Sequence, residues 1–340
     1  MNIEFNRMTS LSINGKAVKT LNLNGNAIYP AIDFKTLKCD LSGYTILGIA
    51  DNTETYGYYE AAVVKDNGNQ SYTFKTFDID DGTEASSFTE SFSGMSNINC
   101  VAFFDPFSKI FWFVVGYYSS STSGWYWKMF TEDGYQYWTS PGGQIIGFDY
   151  GEGAVWTATT SGLTISFDYM NPNGGGYGSN SYTINTQGVN SIVSIIAVGT
   201  QAVVKANYTP NTNYPYIFSI NYKTSAALSY NGNSGITFTT FWDDPTDSNG
   251  LGYYNTTGNV LFSNMSIISG TTINSNYSPL KNGAVNSKIY LKGPNNSFYK
   301  LENGTYTTLG EYPSGVTPTL LSKERNFWAD TSGKIYYFPV

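Results

Sequence analysis

The side chains able to do acid–base, nucleophilic or metal chemistry form an uneven set in this chain. No histidine occurs among its 340 residues, which removes the commonest general base and metal ligand, and with it Ser-His-Asp and Cys-His catalysis. Arginine is confined to Arg7 and Arg325, too few to clamp an anionic substrate from several sides. Carboxylates are more plentiful. Asp105, Asp149, Asp243 and Asp330 stand at or near the ends of apolar stretches, where a facing pair could serve as acid and base on a glycosidic bond. The simpler reading is that they cap turns.

Two denser acidic clusters offer oxygen ligands of the kind a hard cation takes. FDIDDGTE supplies Asp78, Asp80, Asp81 and Glu84, but Gly82 comes one place early for the D-x-[DN]-x-[DN]-G loop. WDDPTDSNG supplies Asp243, Asp244, Asp247 and Asn249, again without full ligand spacing. Ca2+ is therefore the only cofactor the sequence puts forward, and it does so weakly. Cys39 and Cys100 are the two cysteines; two separate core thiols are the simpler reading, a disulfide the alternative.

Aromatic side chains outnumber the charged ones: they make up 17% of the chain against 13%. Many lie in segments rich in Ser, Gly and Asn. GYYSSSTSGWYW carries Tyr117, Tyr118, Trp125, Tyr126 and Trp127. NPNGGGYGSNSY carries Tyr177 and Tyr182, NYTPNTNYPY carries Tyr208, Tyr214 and Tyr216, and the stretch from Trp242 to Tyr254 carries Tyr253 as well. Tyr and Trp present flat amphipathic faces that cost little entropy to order, and small polar neighbours supply adaptable hydrogen bonds. Such surfaces hold sugars or proteins. In a strand, Trp125 and Trp127 would share one side and Tyr126 the other, so some of these rings belong to a core.

The elements that must carry these residues are strands. Asn and Gly favour turns, whereas Tyr, Thr, Ile, Val and Phe favour the pleated surface of a sheet, and no stretch keeps a helical period over three turns. A mostly apolar strand, often ending in an acidic residue or glycine, recurs as TILGIAD from Thr45, NCVAFFD from Asn99, IIGFDYG from Ile145, SIIAVG from Ser194, TFTTFWDD from Thr237, SKIYLKG from Ser287 and TPTLLS from Thr317. The spacing, mostly about 40 to 50 residues, is that of propeller blades. The second unit reads as four up-and-down strands: CVAFF, KIFWFVVGYY, GWYWKMFTEDG and YQYWT. The last supplies only three, so a fourth is expected from the segment near 33–41, which would close the ring. The sequence thus predicts an all-β protein, a β-propeller of six or seven short blades over 31–340, with a β-sandwich or other multi-strand β architecture as the alternative.

Residues 1–30 stand apart. Asn14-Gly15 and Asn24-Gly25 are each flanked by alternating apolar residues, Ile13, Val18, Leu21 and Leu23 among them. Asn-Gly is the preferred centre of a two-residue hairpin turn, and two such turns predict a three-stranded meander. The segment SINGKAVKTLNLNGNAIYP resembles the short N-G-K/N-G hairpin segment that opens many tail and surface-appendage proteins of bacterial and archaeal viruses. The match covers about twenty residues. It implies that residues 1–30 attach to other virion proteins while the larger domain faces a host-surface glycan or protein.

Charge limits the partners. A net charge of −7 and a pI near 4.6 argue against a phosphate backbone or an anionic membrane surface. The longest apolar run, Ile192 to Val204, is interrupted by polar residues and falls short of a spanning helix. It reads as two buried strands. The start, MNIEFNRMTS, lacks the features of a secretory signal, so release as part of a virus particle on lysis is the expected route outward. The functional expectation is a non-enzymatic virion appendage with a receptor-binding role. A purely structural virion protein and a glycan-degrading hydrolase or lyase are the alternatives.

Overall fold

The computed structural model describes residues 12–13, 16–17, 21–23, 26–29, 35, 37–51, 59–105, 108–141, 144–149, 154–171, 176–185, 187–198, 201–209, 216–224, 227–230, 241–243, 251–254, 259–261, 267–285, 288–322 and 324–339. Within them the chain is a seven-bladed β-propeller. Blade 1 comprises Thr45–Ala50, Glu60–Gly68, Ser71–Asp78 and Glu84–Ser91, and blade 2 comprises Met95–Asp105, Ile110–Ser119, Gly124–Thr131 and Gln136–Pro141. Blade 3 is built from Gln144–Asp149, Ala154–Ser161, Thr164–Asn171 and Gly176–Thr183, and blade 4 from Val189–Val198, Gln201–Tyr208, Tyr216–Asn221 and Ala227–Tyr230. Phe241–Asp243, Leu251–Tyr254, Asn259–Leu261 and Ile267–Thr272 make blade 5; Ser278–Val285, Lys288–Gly293, Ser297–Glu302 and Thr305–Glu311 make blade 6.

Blade 7 takes its inner three strands from Pro318–Leu321, Phe327–Asp330 and Lys334–Tyr337, and its outer strand from Leu37–Asp40. The register Ile335↔Cys39 and Lys334↔Asp40 is antiparallel. Within each blade every strand pairs with the next in antiparallel fashion, and inner strands of neighbouring blades pack on one another, as between blades 1 and 2 and from blade 3 on to blade 7. At one place they even pair: Lys281 of blade 6 lies opposite Leu320 of blade 7 in parallel register.

Apolar clusters fill the seams between blades. Phe74 of blade 1, with Phe113 and Phe130 of blade 2, seals the first seam. Phe103, Trp112, Trp127 and Met129 of blade 2 meet Val155 and Met170 of blade 3, and Trp156 of blade 3 stacks on Tyr222 of blade 4 with ring centroids 4.9 Å apart. Phe298 of blade 6 meets Trp328 of blade 7 edge to face at 5.3 Å. Cys39, Ile335 and Phe327 meet Ile49, Ala61 and Val63 where blade 7 joins blade 1. Burying each large ring is worth about 2 to 3 kcal/mol, so the seams hold the ring together. Within a blade, the hydrogen bonds of the ladder do so.

Two expectations are corrected. Six of the seven recurrent apolar segments coincide with or run into innermost strands, but SKIYLKG falls on the second strand of blade 6, Lys288–Gly293. The inner strand there is Ser278–Val285, whose pairing slips between Pro279 and Ala284. Its Gly283 packs so closely that a Cβ would lie 2.5 Å from the Leu280 carbonyl oxygen. A bulged strand of this kind shows no apolar run. At the start of the chain, the expected three-stranded meander is instead two separate hairpins among the described residues, Ser12–Ile13 with Lys16–Ala17 and Leu21–Leu23 with Asn26–Tyr29. Asn14, Gly15, Val18, Asn24 and Gly25 lie outside the described residues. The run from Ile192 to Val204 does form two strands, although Val193, where the register of the inner strand slips, is 50% exposed. Among the described residues no helix is long and apolar enough to cross a membrane.

Candidate ligand-binding surface

Strand direction sorts the candidate residues between two ends of the ring. The upper end carries the hairpins joining second to third strands and the links between blades. The lower end carries the loops leaving the inner strands and those joining third to fourth. Tyr118 and Trp125 stand opposite each other beside the hairpin Ser119–Gly124 of blade 2, at the upper end. Tyr182 lies near the upper end of blade 3's outer strand, half-buried against the seam to blade 4. Tyr177 begins that strand at the lower end, and Trp242 lies near the lower end of blade 5's inner strand, with Tyr253 opposite Phe241 and Tyr254 next to it. The side chains of Tyr177, Trp242, Tyr253 and Tyr254 lie outside the described residues. The expected loops are therefore not gathered into one surface.

Burial sorts them further. Tyr117 is 4% exposed and Trp127 fully buried, so both are corrected from surface to core. Tyr117 faces blade 1, its ring 5.6 Å from that of Phe92, and Trp127 faces blade 3. Tyr126 is half-buried and stacks on Tyr117. Tyr118 and Trp125 are partly exposed and pack edge to face, ring centroids 5.6 Å apart and planes at 68°. Their neighbours on the same face include Ser96, opposite Tyr118, and Asn99, opposite Gly116. Both are exposed.

The strand-end carboxylates serve the fold. Asp105 is fully buried and accepts hydrogen bonds from the backbone N–H of Ser108 at 3.1 Å and from its hydroxyl. Asp330 accepts from the backbone N–H groups of Ser332 and Lys334, at 2.8 and 3.0 Å, and from the Ser332 hydroxyl. The side chains of Asp149 and Asp243 lie outside the described residues. Of the cation candidates, Asp78 accepts from the Asp80 N–H at 2.6 Å, Asp81 from the Thr83 N–H at 2.8 Å, and Asp80 pairs with Lys38 at 2.5 Å. Each carboxylate is thus engaged in shaping the hairpin 78–84 or tying it to Leu37–Asp40. Asp244 and Asp247 lie outside the described residues, among which no three His, Cys, Asp or Glu side chains are arranged to hold a metal ion.

Three carboxylates escaped the sequence reading. Asp51, 1% exposed at the lower end of blade 1's inner strand, reaches into the loop 322–326 of blade 7. It accepts from the Ser322 hydroxyl and from the backbone N–H groups of Glu324 and Asn326 at 2.8 and 3.1 Å. Burial pushes its pKa up against the pull of those hydrogen bonds. Glu60 opens the second strand of blade 1 at the same end. Burial raises its pKa to about 7, a hydrogen bond with Thr76 opposes the rise, and the charges of Glu132 and Asp78 add to it. Burial also raises Glu132, while the Phe111 N–H donates to it at 3.3 Å. Sequence carries a signal only for Asp51, which ends TILGIAD just as Asp105 ends NCVAFFD.

No family model matches this chain, and no curated protein sequence does either. Among solved structures it is similar to the β-propeller domain of the Trilobed protease from Pyrococcus furiosus, with a TM-score of 0.54 and 6% identity over 86% of this chain and 95% of that one. Looser similarity extends to an uncharacterized protein from Listeria monocytogenes EGD-e (TM-score 0.45, 11% identity, 89% of this chain and 98% of that one). An acylaminoacyl peptidase in complex with a peptide chloromethyl ketone is comparably distant (TM-score 0.47, 9% identity, 86% of this chain and 51% of that one). At such identities the likeness is one of fold. The Pyrococcus propeller is described as having an open velcro topology, whereas here Leu37–Asp40 pairs with Lys334–Tyr337 in the last blade.

Proposed function

We propose that this chain is a non-enzymatic virion appendage of a bacterial or archaeal virus, attached to other virion proteins through residues 1–30 and binding a host-surface glycan or protein with the upper end of its propeller. The observation that carries the reading is the partly exposed Tyr118–Trp125 pair at the tip of blade 2. Amphipathic rings left half open beside a serine-rich hairpin cost the fold apolar exposure, and a ligand recovers it. Attachment rests on the resemblance of SINGKAVKTLNLNGNAIYP to virion hairpin segments.

The full-length chain, labelled and added to a panel of bacterial and archaeal cells, should bind a subset of them, and a Tyr118→Ala/Trp125→Ala variant should bind less. Antibody labelling of purified virus particles should place the chain on their surface. Particle incorporation without cell binding would make it a structural virion component. Release of reducing sugar from host polysaccharide would make it an enzyme.

A further inference from the structure

We infer that the upper end of the seam-facing side of blade 2 is a subsite for one uncharged pyranose ring, stacked against Trp125 and Tyr118 and hydrogen-bonded by Asn99 and Ser96; this rests on, and narrows, the binding role proposed above. Direct register puts these four side chains on one face. Asn99 lies opposite Gly116 and Gly116 opposite Trp127, while two residues further along, Ser96 lies opposite Tyr118 and Tyr118 opposite Trp125. Side chains of directly opposed residues share a face, and so do those two apart on one strand. The inner strand thus contributes a hydroxyl and a carboxamide, both exposed, and the middle strands contribute two partly exposed rings.

Gly116 shapes the floor. It is buried and places no side chain between Asn99 and Trp127, directly below the aromatic pair. Beside it the Trp127 indole is fully buried, and its Nε1–H has no hydrogen-bond partner among the described residues. The inner strand slips register between Ser96 and Asn99, and Asn97 takes a left-handed φ of 51°. This inserts extra backbone between Ser96 and Asn99. Bulges of this sort re-aim neighbouring side chains.

The chemistry of the face selects the occupant. At the upper end its described side chains on blade 2 carry no charge: Lys128 points to the opposite side, where it pairs with Glu90 of blade 1 at 2.7 Å. A neutral sugar ring presents axial C–H groups that match an aromatic face and hydroxyls that both donate and accept. Asn99 can answer hydroxyls in both senses, as can Ser96. The two rings lie at 68° to each other, so one can stack on a pyranose face while the other closes its edge.

The test uses the full chain and methyl pyranosides of glucose, galactose, mannose and N-acetylglucosamine as probes, read by tryptophan fluorescence and by saturation-transfer NMR. At least one glycoside should bind in the millimolar range. Trp125→Ala should weaken it about tenfold, the size expected for losing one aromatic contact, and Asn99→Ala should weaken it less. Tyr135→Ala should leave binding unchanged, because Tyr135 is 67% exposed at the other end of the blade. Circular dichroism of each variant separates loss of binding from loss of fold. Should Trp125→Phe, which keeps a ring, restore most of the affinity that Trp125→Ala loses, stacking is supported. Cell binding that survives in Trp125→Ala and is not competed by any glycoside would overturn the sugar subsite while leaving host recognition intact. Absence of both cell and glycoside binding would overturn both.

Discussion

The backbone N–H of Asn326 donates to the Asp51 carboxylate at 3.1 Å, joining residues 275 positions apart in the chain. Together with the Ser322 hydroxyl and the Glu324 N–H, it makes the end of blade 1's inner strand a key seated in a loop of blade 7. The same loop is held from its other side, where the Arg325 guanidinium lies 5.9 Å from the centroid of Tyr290 in blade 6. Blades 6, 7 and 1 are thereby tied at the lower end, independently of the strand Leu37–Asp40.

Removing that key should be costly. Asp51→Ala leaves buried donors without an acceptor, at about 1 to 3 kcal/mol for each orphaned group, so urea denaturation should report a loss of about 3 kcal/mol or more. Asp51→Asn, which keeps one carbonyl oxygen, should cost less. A loss under about 1 kcal/mol for Asp51→Ala would show that the key adds little to closure.

Glu60 gives stability a pH dependence of definite sign. Its folded pKa, about 7, lies above the ordinary 4.5, so the folded chain holds the proton through a range in which the unfolded chain has released it. The contribution of this group is full below the ordinary value, declines as pH rises toward 7, and is absent above. Glu60→Gln should therefore raise the melting temperature relative to the parent at about pH 8 and lose that advantage near about pH 4.5. Melting curves of the two proteins at both pH values check the crossover.

Gly333 sits at φ 87°, and a Cβ there would lie 2.4 Å from the Leu41 carbonyl oxygen. The Leu41 N–H donates to the Gly333 carbonyl at 2.9 Å, so this hairpin turn touches the link between blade 7 and blade 1. Gly333→Ala should destabilise by about 2 kcal/mol or more, from backbone strain and the clash together. A calorimetric scan showing an unchanged midpoint would contradict it.

Both thiols are free, and burial raises each, Cys100 to about 12. The thiolate is the reactive form, so an aromatic disulfide reagent at mildly alkaline pH should leave both unmodified in the native protein. In urea it should titrate two thiols. Rapid native labelling of Cys39, the buried thiol of the two, would show that the seam between blades 7 and 1 opens locally.

The propeller was legible in the sequence because inner strands are covered on both faces, so they read as continuous apolar runs rather than alternations. NCVAFFD and TILGIAD announce themselves in this way. Ser278–Val285 does not, since Pro279, Lys281 and Gly283 interrupt it at a bulge, and the neighbouring Lys288–Gly293 took its place in the pattern. The site was legible by residue type but not by position. Trp125 and Trp127 do share a face, as alternation requires, yet one is half open and the other sealed because they lie at different depths along the blade. That depth is set by Val155 and Met170 of the next blade. Asp51 and Glu60 were silent for a similar reason: the groups that bury or bind them come from other strands, in one case 271 residues away.

The pairing of Cys39 with Ile335 also dictates an order of events during synthesis. Residues 37–40 leave the ribosome before blade 1, whereas the strand that receives them is made after six blades have been completed. Until then this stretch waits as an unsatisfied edge, able to template wrong partners. Lys35, Lys38 and Asp40 punctuate it with charge, the kind of residue that discourages adventitious strand pairing. In the finished ring Lys35 meets Glu311 at 2.7 Å and Lys38 meets Asp80, so the charges that guard the nascent segment become its moorings to blades 6 and 1.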